Sequence, residues 1–448
     1  MTEKIERQGM TWHHFGVVIT CMVALFTCVA MIFICAGLCY RPVAAHFGCQ
    51  VSDVSFYITC VYIGSTIAPI PASWLFERIN PRLFFTGALI LTSVPYFFNS
   101  MWPSVQCMWA AGIVIGIGLA ILEYTMTAGM LSRWFHTNYG TAIGVSFACT
   151  GAGGIVWNLV GQHLLGADLS GWPQIYQYYA VIMFFATLIC IWAFLDRTPE
   201  KVGLLPYGMP LAAEEAAEEE SLEAPEEPGF TLKEALHQPF YWTMMLGCGC
   251  LNIVTTLSQL FATYVQFLGN EGWEGQAIVA LLLLSGTLES FASAGQMIGK
   301  VLVGIIESHS LLAAQIMGVC GGVTGLLLIW QMPKFFGEAG VWPMFFGGAL
   351  YGLMYACSTA MIPFLIKECF GGKDYDRIYS IQVCLYNLLG GFGATGWAIL
   401  MQTYGWDAFF MFSLAEVVLT FVLIAYTGIA AYKKREQTWY VSDAKLVA

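Results

Sequence analysis

Apolar runs of about 20 residues, the length an α-helix needs to cross a bilayer, recur along the whole chain with short polar breaks between them. They fall near 14–40, 53–74, 83–100, 104–131, 140–165, 174–195, 240–268, 276–306, 310–331, 343–366, 376–403 and 407–431. The pattern predicts an all-α membrane protein of twelve transmembrane helices. One break is long. Residues 196–238 hold eight Glu between Glu214 and Glu227 and five Pro, too little apolar surface to form a core of its own. This stretch divides the spans six and six. The expected plan is an N-terminal six-helix bundle at 1–195, an acidic Pro/Glu-rich linker at 196–238, and a C-terminal bundle with a short tail at 239–448. Trp102-Pro103 and Trp342-Pro343 precede the fourth span of each half, so the halves read as an internal duplication.

Composition narrows the class. Only 10% of the 448 residues are Asp, Glu, Lys or Arg, while 58% are hydrophobic, and no soluble surface is that poor in charge. The same figures exclude a disordered chain and a nucleic-acid binder. The net charge of −11 belongs mostly to the linker, since removing its eight clustered Glu leaves −3. Most of the 15 Cys sit inside apolar runs as small hydrophobes, and Cys248-Gly249-Cys250 lacks a second pair to complete a metal site. No metal or cofactor is expected. No zinc-protease, nucleophile-elbow or phosphate-loop motif is present, so the chain is not read as an enzyme.

Charge also sets direction. Of 18 Lys and Arg, 15 fall in the tails, the linker and the loops after spans 2, 4 and 10; Arg41, Lys334 and Lys300 are the exceptions. The positive-inside rule then places both termini in the cytoplasm of a protein in the cytoplasmic membrane. Trp102, Trp172, Trp273, Trp342 and Trp406 mark interfacial starts of returning spans.

Three stretches resemble a known family. Residues 73–82 read Ser-Trp-Leu-Phe-Glu77-Arg78-Ile-Asn-Pro-Arg82. Span 4 ends in Arg133-Trp134-Phe135 and is followed by Gly140-x-Ala142-x-Gly144 and Gly151-x-x-Gly154. After span 6 comes Pro199-Glu200-Lys201-Val202-Gly203-Leu204-Leu205-Pro206. Together they resemble the major facilitator superfamily, and within it the monocarboxylate-porter and oxalate/formate-antiporter branch. The resemblance implies a secondary transporter working by alternating access, in which contacts around Glu77 and Arg78, with Arg133, Lys367 and Arg377, gate one side. Plain topology signals are the competing reading of those charges. The glycines of span 5 are expected to let two backbones approach closely.

Ionisable residues inside spans cost about 2.5–3.5 kcal/mol each on insertion scales, so each needs a reason. Lys300 is the one basic residue deep inside a span, Arg377 standing at the very start of the eleventh, and Glu289, Ser293 and Gln296 share its helix face at spacings of 11, 7 and 4 residues. The expectation is that Lys300 binds a small organic anion with Gln296 orienting it. The alternative is that Lys300 snorkels to the interface. Glu123 in span 4 lies at a depth within about 3 Å of Lys300 and is a candidate counter-charge. Burial disfavours the charged form of Glu289, which makes it, with Glu123, a proton-coupling candidate; a structural acid is the competing role for both. Asn252 and Gln259 are further lining candidates. Departures from the branch also count: span 11 offers no basic residue in its interior, and Ser308 stands where an Asp would follow Gly304 by four. A monocarboxylate, or a larger acid with much apolar surface, fits one cation better than a dianion does. The expected partners are that anion, protons or a counter-anion, and the bilayer, with the protein a monomer. A sensor on a transporter scaffold, or a facilitator or exporter of a larger or neutral solute, are the alternatives.

Overall fold

The computed structural model describes residues 7–196, 198–210, 229–307 and 310–438. The eight clustered Glu, Pro225, Pro228, Lys4, Arg197, Ser308 and Lys445 lie outside the described residues. The chain folds as two compact units, Met1–Glu223 and Ala224–Ala448; helices joined by turns and loops make up the described residues of both, with no strand among them.

The first unit contains α1 (Trp12–Ile34) and α2 (Gly37–Phe47), then α3 (Val51–Ile67) and α4 (Pro69–Phe76). It continues with α5 (Pro81–Phe98), α6 (Val105–Trp134), α7 (Tyr139–Leu165) and α8 (Trp172–Phe194). The second unit contains α9 (Leu232–Leu236), α10 (Pro239–Asn270), α11 (Thr287–Glu307) and α12 (Leu311–Phe336). It closes with α13 (Val341–Phe370), α14 (Tyr375–Gly391) and α15 (Gly393–Thr438). The 59-residue and 58-residue apolar stretches Leu312–Phe370 and Arg377–Lys434 are each too long for one crossing. The first is broken at Gly337 (φ 54°) and the second at Gly405 (φ 82°, ψ 177°), backbone settings that glycine alone adopts at little cost. Counting α1 with α2, α3 with α4, α14 with residues 393–404, and residues 406–438 as separate passes gives six per unit. Each of the twelve expected spans falls on one pass. The eighth differs at its start: positive φ at Gly272, Glu274 and Gly275 turns the chain, so Trp273 lies in a turn and α11 begins at Thr287.

Local chemistry explains the helix ends. Asn80 caps α5 by accepting from the Arg82 amide at 3.0 Å, with Pro81 at the first helical position. Ser310 caps α12 through the Ala313 amide. Asp53 accepts from the Gln50 amide at the head of α3.

Within lipid there is little hydrophobic force between helices, so close packing has to hold them together. In the second unit a Cβ at Gly295 would run into the Ala349 carbonyl, and one at Gly352 into the Ala292 carbonyl and the Gln296 amide. Gly299 and Gly348 lie against Leu353 and Leu288 in the same seam, so α11 and α13 touch backbone to backbone through two Gly-x-x-x-Gly repeats. The first unit uses the same device between α3 and α6, where Gly112 and Gly116 meet Tyr57 and Val61, and Gly64 meets Ile113. The span-5 glycines behave otherwise. Space around Gly140 and Gly144 is open, and close approach in α7 is made by Gly153 against the Phe26 carbonyl of α1.

Both described ends of the 196–238 stretch are ordered. Pro199–Val202 forms a single 3-10 turn closed by Gly203 (φ 73°). Tyr207 then pairs with the loop after α6: its amide donates to Trp134 O at 2.8 Å and its carbonyl accepts from His136 and Thr137. Gln8 pairs with Gly208 and Met209, and His14 bridges Thr11 and the Leu205 carbonyl beneath Trp134. In the second unit Phe230 donates to Phe370 O at 2.8 Å, and Leu232 donates to Asp374 Oδ2. Thr231 and Glu234 form a capping box, with both Thr231 donors on Glu234 Oε2 at 2.8 Å.

Two outcomes test this packing. Gly295→Val should cost at least about 1–3 kcal/mol by overpacking and lower the thermal unfolding midpoint of detergent-purified protein, whereas Gly144→Ala, in open space, should leave it unchanged. The Thr231 donors hold the Glu234 carboxyl below its ordinary 4.5. The capping contribution is therefore full above pH 4.5 and is lost as pH falls through the lower folded value. Amide exchange of residues 231–236, corrected for intrinsic rates, should show protection that disappears only below that pH, and that Glu234→Ala lowers throughout.

Candidate functional site

The Gly295/Gly299 seam fixes the rotation of α11, and roughly 100° around the helix it presents Glu289, Ser293, Gln296 and Lys300. Glu289 is 2% exposed, Ser293 and Gln296 3% each, and Lys300 is half-buried. Glu289 Oε2, Ser293 Oγ and Gln296 Oε1 are buried with no hydrogen-bond partner among the described residues. Buried polar atoms are nearly always paired, with protein or with ordered water or ligand, so three orphans on one helix face mark a place built for something other than side chains.

The opposing wall comes from α10, which tightens to a 3-10 helix over Thr256–Leu260. Hydroxyls in and beside this stretch bond back three residues: Thr255 to Asn252 O at 2.7 Å, Thr256 to Ile253 O at 2.7 Å, and Ser258 to Thr255 O at 3.1 Å. A 3-10 insert inside a long helix often marks a functional hinge. Ser258 is beside Glu289. Tyr351 of α13 donates to Val254 O and Thr255 O at 2.7 and 3.1 Å, tying α13 to the same stretch.

The other lining candidates on α10 divide. Gln259 is buried within the 3-10 segment. Asn252 is used internally: its Nδ2 donates to Tyr386 O and Asn387 Oδ1, both at 3.2 Å, and its oxygens accept from Thr255. It joins α10 to α14, where Gly390 leaves room for it, so both ends of its amide already have protein partners.

In the first unit Glu123 is half-buried in a π-helical segment, Ile121–Thr125, near Tyr62 of α3. A π-segment widens one helical turn and is frequent at functional sites. Span 1 carries a longer one, Leu25–Ile34. Among the gating candidates, Arg133 at the end of α6 forms an ion pair with Glu77 and lies over the Phe76 ring at 4.8 Å. Arg78 stacks on Trp74 at 3.8 Å. Arg82 bonds Asp196 at 3.0 Å and the Leu195 carbonyl at 2.7 Å, closing α5 onto the end of α8. Lys367 and Arg377 are exposed at the end of α13 and the start of α14.

Sequence reasoning missed one acid. Glu416 lies ten residues into the last apolar run, half-buried, with Cys250 and Tyr351 close enough to sense its charge. The intramembrane-charge criterion applied to Glu289 finds it equally.

Twelve apolar passes in two compact units of like plan define a multi-pass integral membrane protein. The sequence profile of the Major Facilitator Superfamily matches residues 15–332, and the chain belongs to that superfamily of membrane transporters. Over 82 residues it is 32% identical to the MFS-type transporter pytF of Aspergillus terreus, a stretch that is 18% of this chain and spans only 27% of that relative's length. The fold is similar to that of the nucleoside transporter NupG, with a TM-score of 0.67 at 9% identity over 94% of this chain and 100% of the other. It is also similar to that of a D-xylose-proton symporter, with a TM-score of 0.64 at 13% identity over 94% and 96%.

The Glu77–Arg133 pair is partly exposed, with side-chain accessibilities of 59% and 29%. A double-mutant cycle on thermal stability with Glu77→Ala and Arg133→Ala should give a coupling of about 0.2–1 kcal/mol that shrinks at high salt.

Proposed function

We propose that this protein is a secondary transporter of a small organic anion, a monocarboxylate, moved by alternating access. Lys300 is the anion contact and Gln296 the orienting hydrogen bond, while Glu123, a half-buried acid of the first unit, is a proton-coupling candidate. Glu289 carries the coupled proton. Glu77, Arg78, Arg133, Lys367 and Arg377 gate the cytoplasmic side of a protein whose termini both face the cytoplasm. The observation that carries this reading is the placement of Lys300, a basic residue well inside α11, at the end of a buried polar face on which three side-chain oxygens lack a hydrogen-bond partner among the described residues. A cation there attracts a carboxylate, and the orphaned oxygens give its polar end or its water a place to bond. The resemblance of Arg133-Trp134-Phe135 and Pro199 to Pro206 to the monocarboxylate-porter branch supports the same substrate class. The distribution of 15 of 18 Lys and Arg supports the orientation.

A neutral solute is the second reading, favoured by the likeness in fold to proteins named for nucleoside and xylose transport. One experiment separates them. A thermal-shift panel of small monocarboxylates, dicarboxylates, nucleosides and sugars on purified protein is followed by uptake of the best binder into proteoliposomes. Stabilisation by monocarboxylates, with uptake falling about 10–100-fold in Lys300→Gln, the loss expected for one charge-assisted hydrogen bond, supports the anion. Stabilisation by a neutral solute, with Lys300→Gln transporting normally, overturns it.

A further inference from the structure

The orphaned oxygens of α11 are regularly spaced. Glu289 to Ser293 is four residues, Ser293 to Gln296 three, and Gln296 to Lys300 four, which places successive groups about 6, 4.5 and 6 Å apart along the axis. One water at about 2.8 Å from each of two groups spans the gap of about 4.5 Å, and two waters in series span those of about 6 Å. The same spacing excludes a cage for one cation, because oxygen ligands must converge to about 2.3–2.6 Å of a hard ion such as Ca²⁺. The arrangement is a line.

We propose that Glu289, Ser293 and Gln296 hold a single file of water molecules along α11, through which the Glu289 carboxyl exchanges its proton with the Lys300 end of the helix. Each hop breaks one O–H bond on the donor and forms one on the next oxygen, so a proton travels while every water remains whole. The three orphaned atoms belong to side chains at least 97% buried, and such atoms are satisfied by ordered water in a polar site. Lys300, half-buried, opens the file at its far end. The other titratable groups around Glu289 are on neighbouring helices: Tyr351, which senses both Glu289 and Glu416 of α15, and Tyr355 beside it. Ser258 of α10 adds a hydroxyl. Tyr351 has its own hydroxyl committed to backbone carbonyls, which leaves the α11 file as the continuous route. Ser293 is thereby a positioning residue for proton movement.

The inference rests on Glu289 carrying the coupled proton in the proposed function, and its test needs no substrate. Protein reconstituted in liposomes is moved into D2O, and the carboxylic infrared band assigned to Glu289 by its loss in Glu289→Gln is followed in time. The native band should shift as fast as the buffer mixes. Ser293→Val with Gln296→Leu, which fills the file with methyl groups, should slow the shift at least about tenfold while keeping the band. Gly144→Ala, in the open space beside α7, should exchange within about twofold of native. If the double variant does not fold, either blocking substitution alone gives the same comparison against Gly144→Ala. Native-rate exchange in a folded blocked variant, or no carboxylic band lost in Glu289→Gln, overturns the proposal. Loss of monocarboxylate uptake in Lys300→Gln would still stand in that case, so failure of the water file is separable from failure of the anion reading.

Discussion

The backbone contact between α11 and α13 is the constraint from which the second unit's arrangement follows. Four glycines bring the two backbones together in that seam, with Leu288, Leu353 and Ala356 packed against them, so dispersion and carbonyl contacts act at short range where lipid offers no competing advantage. A seam this close permits one rotation of α11. That rotation turns Glu289, Ser293, Gln296 and Lys300 into the unit and sends Ile298, Val301, Leu302 and Ile305 outward, where they are exposed. The polar residues are buried because the glycines hold the helix that way, at an expense in unpaired oxygens that helix packing offsets.

The wall opposite α11 is made differently. Hydroxyls at Thr255, Thr256 and Ser258 take up carbonyls that a regular helix would use, and the ladder tightens to 3-10 there. Rigidity on one side and an altered helical repeat on the other suit a site that has to hold a polar group and then release it. Tyr351 spans the two, since it stands on the rigid helix and bonds to the irregular one.

Most of the fold was legible in the chain because a bilayer imposes a length on every apolar run. Breaks at Gly337 and Gly405 needed only glycine beside polar residues to be read as turns. The eighth span opens with a 3-10 helix, Val279–Leu284, before α-helix begins at Thr287, and the turn that precedes it depends on positive φ at Gly272, Glu274 and Gly275, which apolar composition does not reveal. The polar face of α11 was also legible, since charges in spans are few. The glycine seams were not. Among 47 glycines, spacings of four occur in many places, and only packing shows that Gly295 and Gly352 meet backbone while Gly144 meets nothing. Asn252 was likewise indistinguishable from a lining residue until its amide was found bonded to α14. Glu416 was overlooked though visible, in a run whose apolar length drew attention away from the acid near its middle.

The docked ends of the connecting segment change where the two halves of this chain begin and end as inheritable pieces. Tyr207 is pinned to the last turn of α6, and Phe230 to the last residue of α13, which are the fourth passes of their respective units. Each unit thus owns a strap that belongs to its own fold and ties off the same pass. A gene split into two co-expressed halves has to be cut between 210 and 229; a cut at the helix boundaries would strip both fourth passes of the residues that close them.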